Sequence, residues 1–445
     1  MPRPSIAVLP FDDLCADRNQ KYFCDGLANE LIDVLSRTEG LHVAPRSASF
    51  RFRAVEDPRE AGRELGVAAV LLGGVSKTDG RLRVGAKLVQ TDTGAELWSD
   101  AFDSNLEKVF AIQHQIAEQI VHALELHLDQ QELEALKRQP TADVEAYEHY
   151  LEGRERFFEY DRHGVEAALR SFNEALALDS EYARAHAGVA ECCSFLFMYA
   201  DGDESDLRRA KEASCRALEL APDLAEAHAA RGLVFSLQHE FDAAEKEFET
   251  AIDLSPKLFE AFYFYARNNF VKGDLESAAK LYGHASIIDP GDYQAPLLVA
   301  QIYDSQGRPD EAASSRRKGV LAVERRLLQN PQEVRALYMG ANALVGLGEV
   351  EKGLRWAERA LELEPDEPMV LYNVGCVLSM AGRLERALEC VEETVSRSPG
   401  YVDWILQDSN LDPLREHPRF KAIVESEESE GASPGKIVIS PNAEA

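Results

Sequence analysis

The chain has 445 residues and carries 48 Lys and Arg against 78 Asp and Glu, a formal net charge of −30. Such a protein lacks the basic surface that displaces counterions from nucleic-acid phosphates, and anionic lipid would repel it as well. Direct binding to nucleic acid or to a membrane surface is therefore not expected. The length exceeds what one hydrophobic core supports and predicts several domains or a repeat array.

The amino-terminal residues and the cysteines indicate a cytoplasmic protein. The first four residues lead directly into the short apolar run Ser5–Phe11, which is not the longer apolar core of a signal peptide. No stretch reaches the ~18 unbroken apolar residues of a membrane-spanning helix. The seven cysteines are odd in number and form no CxxC pair, so neither structural zinc nor a disulfide framework is predicted.

Short apolar runs alternate with helical patterns over residues 5–103, which predicts a small mixed-sheet α/β domain. An Asp-Gly pair at Asp79-Gly80 is a strong hairpin signal. The predicted order is strand Ser5–Phe11, helix Tyr22–Arg37, strand Leu41–Arg46, helix Asp57–Gly66, strands Ala68–Lys77, Arg81–Gln90 and Glu96–Asp103, and a long helix from Leu106 to about Asp129.

This region resembles the TolB-like amino-terminal domain of bacterial multi-domain regulators. The resemblance covers about residues 4–128 and is carried, in order, by Ile6–Phe11, Tyr22–Leu27, Leu41–Arg46, Arg63–Gly66, Leu82–Val89, Thr93–Trp98 and Val109–Gln113. The resemblance implies a domain that usually follows an adenylyl cyclase, a winged-helix DNA-binding domain or a kinase, and that usually precedes tetratricopeptide repeats. It implies no catalytic role for the domain itself.

The rest of the chain is helical and repeats at a spacing of about 34 residues, the tetratricopeptide period. At that offset Ala244, Phe248, Ala251 and Pro256 align with Ala278, Tyr282, Ala285 and Pro290. Seven helix pairs are predicted, and together they form an all-α solenoid of tetratricopeptide type. They begin near Ala146, Ala183, Ala225, Phe259, Tyr293, Val334 and Pro368, and turn glycines are expected at Gly273, Gly307, Gly348 and Gly382.

Three departures from the pattern are evident. The second repeat carries an insertion around Phe197–Ser205, and the fifth has an extended second helix, Glu311–Gln329, in which Arg316 replaces the aromatic residue. The sixth repeat has Gly353 and Ala357 where alanine and an aromatic are expected.

The predicted domains are 1–130 for the α/β part, 131–400 for the repeats, 401–423 for a segment capping the last apolar face, and 424–445 for a disordered acidic tail.

Several short motifs resemble phosphate-binding, calcium-binding or metal sites, but each lacks residues or neighbouring elements that such a site needs. Gly73–Thr78 lacks the glycine before Lys77 and the following helix that a phosphate loop needs, and Asp201–Glu212 lacks the central glycine of a calcium loop. Asp12 and Asp13 follow a strand and are predicted to form a turn. A metal site of His186 and His228 has no other evident ligands. No catalytic residue, metal ligand or cofactor is predicted.

The repeats offer the best candidate surface, because the first helices of stacked pairs line a concave groove. Tyrosine, arginine and amide side chains suit peptide capture, since aromatics add contact area and Arg and Asn bond main chain and carboxylates. No lysine occupies the register of the chaperone-type carboxylate clamp, so that clamp is not predicted. The groove residues predicted to bind a protein or peptide are Tyr150, Arg154, Tyr263, Arg267, Gln301, Tyr338, Asn342 and Tyr372.

Two functions remain open. One is a non-catalytic interaction protein that binds a protein or peptide in its groove. The other is a regulatory fragment of an adenylyl cyclase or transcriptional regulator whose effector lies on another chain or was lost.

Residues 1–130 contain 14 basic and 20 acidic residues, and the remainder contains 34 basic and 58 acidic residues. The acidity therefore belongs mainly to the repeats and tail, which favours a protein partner over a polyanion.

Overall fold

The structure is a computed structural model that describes residues 4–36, 38, 40–53, 55, 57–78, 81–105, 109–126, 141–158, 161–199 and 203–428. The chain folds into two compact units. The first contains Met1–Phe158, Glu166–Val189 and Arg216–Leu224, and the second contains Glu159–Val165, Ala190–Cys215 and Ala225–Ala445.

A mixed six-stranded sheet forms the centre of the first unit. Its order is β3-β1-β4-β5-β6, with β2 paired beside β1 on β4; β1 to β4 associate in parallel, whereas β4, β5 and β6 are antiparallel. This confirms the predicted mixed α/β class. The strands are β1 Ser5–Val8, β2 Asp12–Asp13, β3 His42–Val43, β4 Ala69–Thr78, β5 Arg81–Gln90 and β6 Glu96–Asn105.

Capping residues set the ends of the helix Pro58–Leu65 in this part of the chain. Asp57 accepts a hydrogen bond from the Arg59 amide at the start of one helix, and Gly66 ends it with a φ of 65°. Because Phe23, Leu27 and other apolar residues of α1 recur at helical spacing, one face of that helix is buried. The helices are α1 Lys21–Ser36, α2 Arg46–Ser49, α3 Pro58–Leu65 and α4 Val109–Ala123.

Three predictions for this part need correction. Asp12 and Asp13 form strand β2, although the Asp13 carboxylate does fix the next turn by accepting from the amides of Cys15 and Gln20. The strand predicted over Leu41–Arg46 is paired only at His42–Val43. The helix predicted to reach about Asp129 ends at Ala123, because the backbone turns left-handed at Glu125; Leu106–Lys108 and 127–129 lie outside the described residues.

The α/β part and the first repeat pack together within the first unit. The Arg184 Nη1 atom lies 2.9 and 2.7 Å from the two carboxylate oxygens of Glu30, and both side chains are largely buried. Lys77 of β4 forms an ion pair with Glu148. A Cβ atom placed on Gly26 would lie only 2.7 Å from Leu151, so the backbone of α1 directly contacts a side chain of the first repeat.

Among the described residues, seven helix pairs follow, and they form an all-α array of the class that the period predicts. In the sequence order of the pairs, their helices α5 to α18 are Val144–Phe157 and Arg162–Leu178, Ala183–Tyr199 and Glu204–Leu220, Ala225–Leu237 and Phe241–Leu254, Phe259–Lys272 and Leu275–Ile288, Gln294–Ser305 and Pro309–Gln329, Val334–Gly346 and Val350–Leu363, and Pro368–Met380 and Leu384–Arg397. We call these pairs repeats 1 to 7.

The small residues of the pattern have the structural roles predicted for them. A Cβ atom on Gly232 would lie 2.7 Å from the Phe248 ring, so only glycine allows the two helices of repeat 3 to approach this closely. The turn glycines adopt positive φ, namely Gly273, Gly307, Gly348 and Gly382. His239 stands at the corresponding turn of repeat 3 with a φ of 60°.

A segment after repeat 7 covers its exposed apolar face. Two 3₁₀ turns, Pro399–Tyr401 and Ser409–Leu414, flank the short helix α19, Val402–Gln407, and α20 follows at Pro418–Glu428. Buried side chains from this segment join the core of repeats 6 and 7, among them Tyr401, Ile405, Leu411, Leu414 and Phe420. The final helix continues into the segment predicted as a tail, whose residues 429–445 lie outside the described residues.

The boundary predicted at residue 130 stays a prediction, because residues 127–140 lie outside the described part of the chain.

Candidate functional site

A small cavity lies inside the second unit, where repeats 2, 6 and 7 meet. Its volume is about 40 Å³, far below the ~300 Å³ of usual small-molecule sites. It can hold a few waters or one short side chain, but not a cofactor. The lining residues are Phe195, Leu196 and Tyr199 of repeat 2, Val334, Arg335 and Tyr338 of repeat 6, Met369 and Val370 of repeat 7, and Asp161, Arg162, Glu364 and Glu367 from the turns.

Arg335 is held in this cavity by neutral partners. Its Nε donates to Gln294 Oε1 at 3.0 Å, and its Nη1 donates to the Tyr338 hydroxyl at 3.4 Å. The guanidinium carbon lies 4.8 Å from the centre of the Tyr199 ring and 6.0 Å from that of Phe195. Within the described ranges no carboxylate forms an ion pair with Arg335, so aromatic faces and amide or phenol oxygens surround this cation.

The charges of two guanidinium groups act on Tyr199. Burial opposes ionisation of its phenol, but the charges of Arg335 and Arg267 outweigh burial, and the pKa of Tyr199 is lowered. Arg267 is 3% exposed, and in the described part of the chain its Nε and Nη1 atoms have no hydrogen-bond partner. The site therefore concentrates positive charge beside a phenol oxygen.

Acidic side chains also line this cavity. Burial, followed by the charges of Asp161 and Glu367, raises the pKa of Glu364 to about 7, and nearby His163 acts in the opposite direction. The cavity is consequently lined by basic groups, at Arg162 and Arg335, and by acidic groups, of which Glu364 is partly protonated near pH 7.

Three of the residues predicted for the groove belong to the network around Arg335. The Tyr263 hydroxyl donates to Gln294 Oε1 at 3.5 Å, the same oxygen that accepts from Arg335. Tyr338 accepts from Arg335, and the charge of Arg267 contributes to lowering the pKa of Tyr199. Repeats 2, 4, 5 and 6 thus contribute to one continuous polar cluster.

Two other predicted groove residues lie in the first unit. Tyr150 is 7% exposed, and its ring packs 5.1 Å from that of Tyr182 and 5.8 Å from that of Phe172. The Arg154 guanidinium lies 5.0 Å over the Phe158 ring. Their contacts here are intramolecular, and a role for them in partner capture stays a prediction.

The remaining predicted residues are distributed over repeats 5 to 7. The Asn342 amide donates to the Met380 sulfur at 3.5 Å, and the Tyr372 hydroxyl donates to Asp408 Oδ2 at 2.5 Å. Tyr372 is therefore tied to the capping segment, and burial raises its pKa well above the usual range. Gln301 is half-buried on the first helix of repeat 5.

Tyr199, Phe195 and Glu364 were not among the residues predicted for the site. The first two lie at the end of an unusually long first helix, where the pattern indicated only an insertion. Three aromatic residues, Phe195, Phe197 and Tyr199, fall within five positions there. That density was the available signal, because solvated insertions seldom concentrate large apolar rings.

The other motifs have structural roles. Lys77 lies in the continuous strand β4 and pairs with Glu148, so no phosphate loop forms there. Asp203 accepts from the Ser205 amide at the start of a helix; Asp201 and Gly202 of the calcium-like run lie outside the described residues. His186 contacts the Ser180 carbonyl, and His228 contacts Glu247.

The described residues contain neither a cluster suited to a metal ion nor a helix suited to a membrane. Among them, no group of three or more His, Cys, Asp or Glu side chains is arranged to hold a metal ion. None of the helices in the described ranges combines the length and the apolar character needed to cross a membrane.

Two families match parts of the chain. Residues 2–119 match the family described as HilA/YgeH-like transcriptional regulator, second domain. Residues 230–293 and 338–402 match tetratricopeptide repeats, which confirms the repeat type predicted from the period. The TolB-like assignment of the α/β part stays a prediction, since the matching description is that of a HilA/YgeH-like domain.

The curated relatives are regulators or cyclases by name. A Rhizobium meliloti protein named "Putative adenylate cyclase 3" is 32% identical over 246 residues, which is 55% of this chain and 42% of that protein. The Transcriptional regulator HilA of Salmonella typhimurium is 25% identical over 142 residues, 32% of this chain and 26% of that protein. The chain thus spans less than half the length of these relatives.

Among solved structures, the tetratricopeptide protein YrrB, described as having an unusual peptide-binding site, is similar with 17% identity and a TM-score of 0.30. The match covers 42% of this chain and 93% of YrrB.

Proposed function

We propose that this chain is a non-catalytic interaction protein that captures a protein or peptide segment at the cavity between repeats 2, 6 and 7, as part of bacterial regulation in the cytoplasm. The single observation that supports this most is the cluster of Arg335, Tyr199 and Tyr338 around a space that fits one side chain. Arginine and tyrosine dominate the energetics of protein interfaces because they combine large contact area with directional hydrogen bonds.

The size of the cavity argues for a macromolecular ligand rather than a free metabolite. A space of about 40 Å³ cannot bury most of a metabolite, but it can accept an anchoring side chain whose flanking residues bind the surrounding repeats. Tetratricopeptide arrays present extended surfaces suited to such segments.

A capture experiment tests this function. Wild-type chain and an Arg335→Met variant would be used to recover partners from the native cell, and the affinity of each recovered partner would then be measured with purified chain. We expect the variant to bind at least about tenfold more weakly, since a buried charged contact is lost. Arg359→Met provides the control, because Arg359 forms only an exposed ion pair with Glu362. Equal affinity of wild type and Arg335→Met would contradict the proposal.

A second candidate function rests on the relatives. Similarity to a protein named as an adenylate cyclase and to the HilA regulator supports a chain that serves as the regulatory portion of such an effector. The test is to express the chain with and without a separate adenylyl cyclase catalytic domain and measure cyclic AMP. Regulation predicts a changed rate only when both are present, whereas cyclase turnover by the chain alone would contradict the non-catalytic assignment.

A further inference from the structure

The outer edge of the sheet in the first unit is a long strand that is paired on one side. Strand β6, Glu96–Asn105, pairs with β5, and no further strand of the described ranges lies beside it. Leu97 is 40% exposed, and Ser99, Ala101 and Asp103 are exposed as well. An edge of this length offers a row of unpaired amide and carbonyl groups to which another extended chain can add.

The Ala101 amide shows which main-chain groups face the open side. This amide donates to Asp100 Oδ1 at 2.8 Å, so it points away from β5. Main-chain groups of alternate residues point to opposite sides of an antiparallel strand. The amides and carbonyls of Ser99 and Asp103 therefore point outward together with those of Ala101.

Two half-buried aromatic rings border this edge. Trp98 and Phe102 lie opposite the buried Leu88 and Val84 of β5, so they face the same side of the sheet. Their ring centres are 6.4 Å apart, and both rings are partly exposed. An added strand would cover them with its own side chains, because residues directly opposite each other on neighbouring strands are in contact.

Asp100 lies between these two rings in the sequence and differs from the other acidic residues of β6. Glu96 pairs with Lys87 at 3.0 Å, and Asp103 pairs with Arg81 at 2.9 Å. Within the described ranges Asp100 forms no ion pair, and its carboxylate instead covers an outward-facing amide. A cation on an added strand would therefore find one carboxylate at the edge that is not already neutralised.

We propose that β6 binds an extended segment of a partner protein in which a Lys or Arg lies opposite Asp100. Apolar residues two positions to either side of that cation would lie opposite Trp98 and Phe102. The cation would draw the carboxylate away from the Ala101 amide and release this amide to the added strand. A strand without a basic residue would leave the amide covered, so the edge discriminates between partners.

Charge disfavours a second copy of this chain as the occupant. Residues 90–107 contain five acidic residues and no Lys or Arg, so a second β6 would bring like charges to the joint. A basic strand from another protein complements the same edge. Strand β6 belongs to the first unit, whereas the cavity between repeats 2, 6 and 7 belongs to the second, and the two sites are tested independently.

A short synthetic strand tests the charge preference. The probe is the acetylated and amidated peptide Thr-Thr-Leu-Thr-Lys-Thr-Leu-Thr-Thr, and its partner has Glu in place of Lys. Wild-type chain should bind the Lys peptide at least about tenfold more tightly than the Glu peptide. Asp100→Lys should reverse this preference. Glu64→Lys should retain it, because it makes the same change of charge at an exposed position of α3.

A measurement on the wild-type chain avoids dependence on the folding of a variant. With Lys opposite Asp100, the amides of the two Thr residues that flank Lys face β6, and those of the two Leu residues face away. N-methylation of the two Thr amides should therefore weaken binding at least about tenfold. N-methylation of the two Leu amides should leave the affinity nearly unchanged.

The contrary outcomes are distinct. Equal affinity for the Lys and Glu peptides, or equal affinity for the two N-methylated peptides, would overturn the proposal. A dimer of wild-type chain that Ala101→Pro dissociates, with an unchanged thermal transition, would assign the edge to a second copy and overturn it as well; proline there removes only an outward-facing amide. Arg335→Met should bind the Lys peptide as wild type does, and a loss would move the peptide to the second unit and refute the β6 site.

Discussion

The Tyr199 ring lies 4.8 Å from the guanidinium carbon of Arg335 and thereby joins the end of the first helix of repeat 2 to the first helix of repeat 6. The contact continues into the capping segment, where the Tyr401 hydroxyl donates to the Tyr199 carbonyl at 3.5 Å. A residue from an insertion has therefore become a structural link between distant parts of the array.

Removal of the Tyr199 hydroxyl should be detectable in both stability and titration. Tyr199→Phe leaves the ring beside Arg335 but removes the phenol oxygen whose pKa the charges of Arg335 and Arg267 lower, so we expect the free energy of unfolding to fall by about 1–3 kcal/mol. Alkaline titration of the wild type should show one tyrosine ionising below the usual 10.0, and the variant should lack it. Tyr265→Phe is the control, because the pKa of Tyr265 is raised. An early transition that survives in Tyr199→Phe would refute the assignment.

Glu364 should make stability depend on pH in a defined direction. Its pKa is raised from 4.5 to about 7, so the folded chain binds more protons than the unfolded chain between these values. The free energy of unfolding therefore loses the contribution of protonated Glu364 as pH rises through that window. The difference in thermal midpoint between wild type and Glu364→Gln should decline from pH 5 to pH 8. The exposed Glu362→Gln should show no such decline, and a flat difference for Glu364→Gln would disprove the prediction.

The turn of repeat 3 should be improved by glycine. His239 has a φ of 60°, which costs about 1 kcal/mol for a residue with a side chain. His239→Gly should raise the free energy of unfolding by up to about 1 kcal/mol, less the loss of its edge contact with Phe241. Gly273→Ala, at the corresponding turn of repeat 4, should lower it by a similar amount. Denaturant unfolding measures both, and a destabilised His239→Gly would show that the Phe241 contact dominates.

The buried ion pair between Glu30 and Arg184 should couple the α/β part to the first repeats. Arg184→Met leaves the buried Glu30 carboxylate without this partner, and we expect a loss of about 3–5 kcal/mol in the free energy of unfolding. Adding Glu30→Met should restore most of it, because the buried charge is then gone. Arg359→Met, at an exposed pair, should change stability by less than about 1 kcal/mol. No recovery in the double variant would contradict this explanation.

The repeat helices could be predicted closely because their signal is local and periodic. The extended helix of repeat 5, predicted over Glu311–Gln329, is observed as Pro309–Gln329. The hairpin between β4 and β5 pairs Thr78 with Arg81, as the Asp-Gly signal predicts, although residues 79–80 of the turn lie outside the described ones. In both cases the residues that determine the helix or the turn lie within a few positions of it in the sequence.

The candidate site could be predicted only in part, because its assembly depends on repeats that are far apart in the sequence. Register placed Tyr263, Arg267 and Tyr338 on first helices and could indicate that they face the same way. It could not show that Tyr199 would reach Arg335, since that contact depends on the accumulated rotation from repeat 2 to repeat 6. The shortness of β3 escaped prediction for a similar reason, as pairing partners decide where a strand ends.

The close approach of Gly26 to Leu151 has a consequence for how such chains can be recombined. A fusion that exchanged the α/β part for an unrelated domain would lose the close approach of Gly26 to Leu151 and would leave Arg184 without Glu30. The contact residues of the first repeats are therefore complementary to this particular α/β part. Exchange of domains at this contact would require coordinated substitutions in both the α/β part and the first repeats. Duplication or deletion of later repeats would leave the contact itself unchanged.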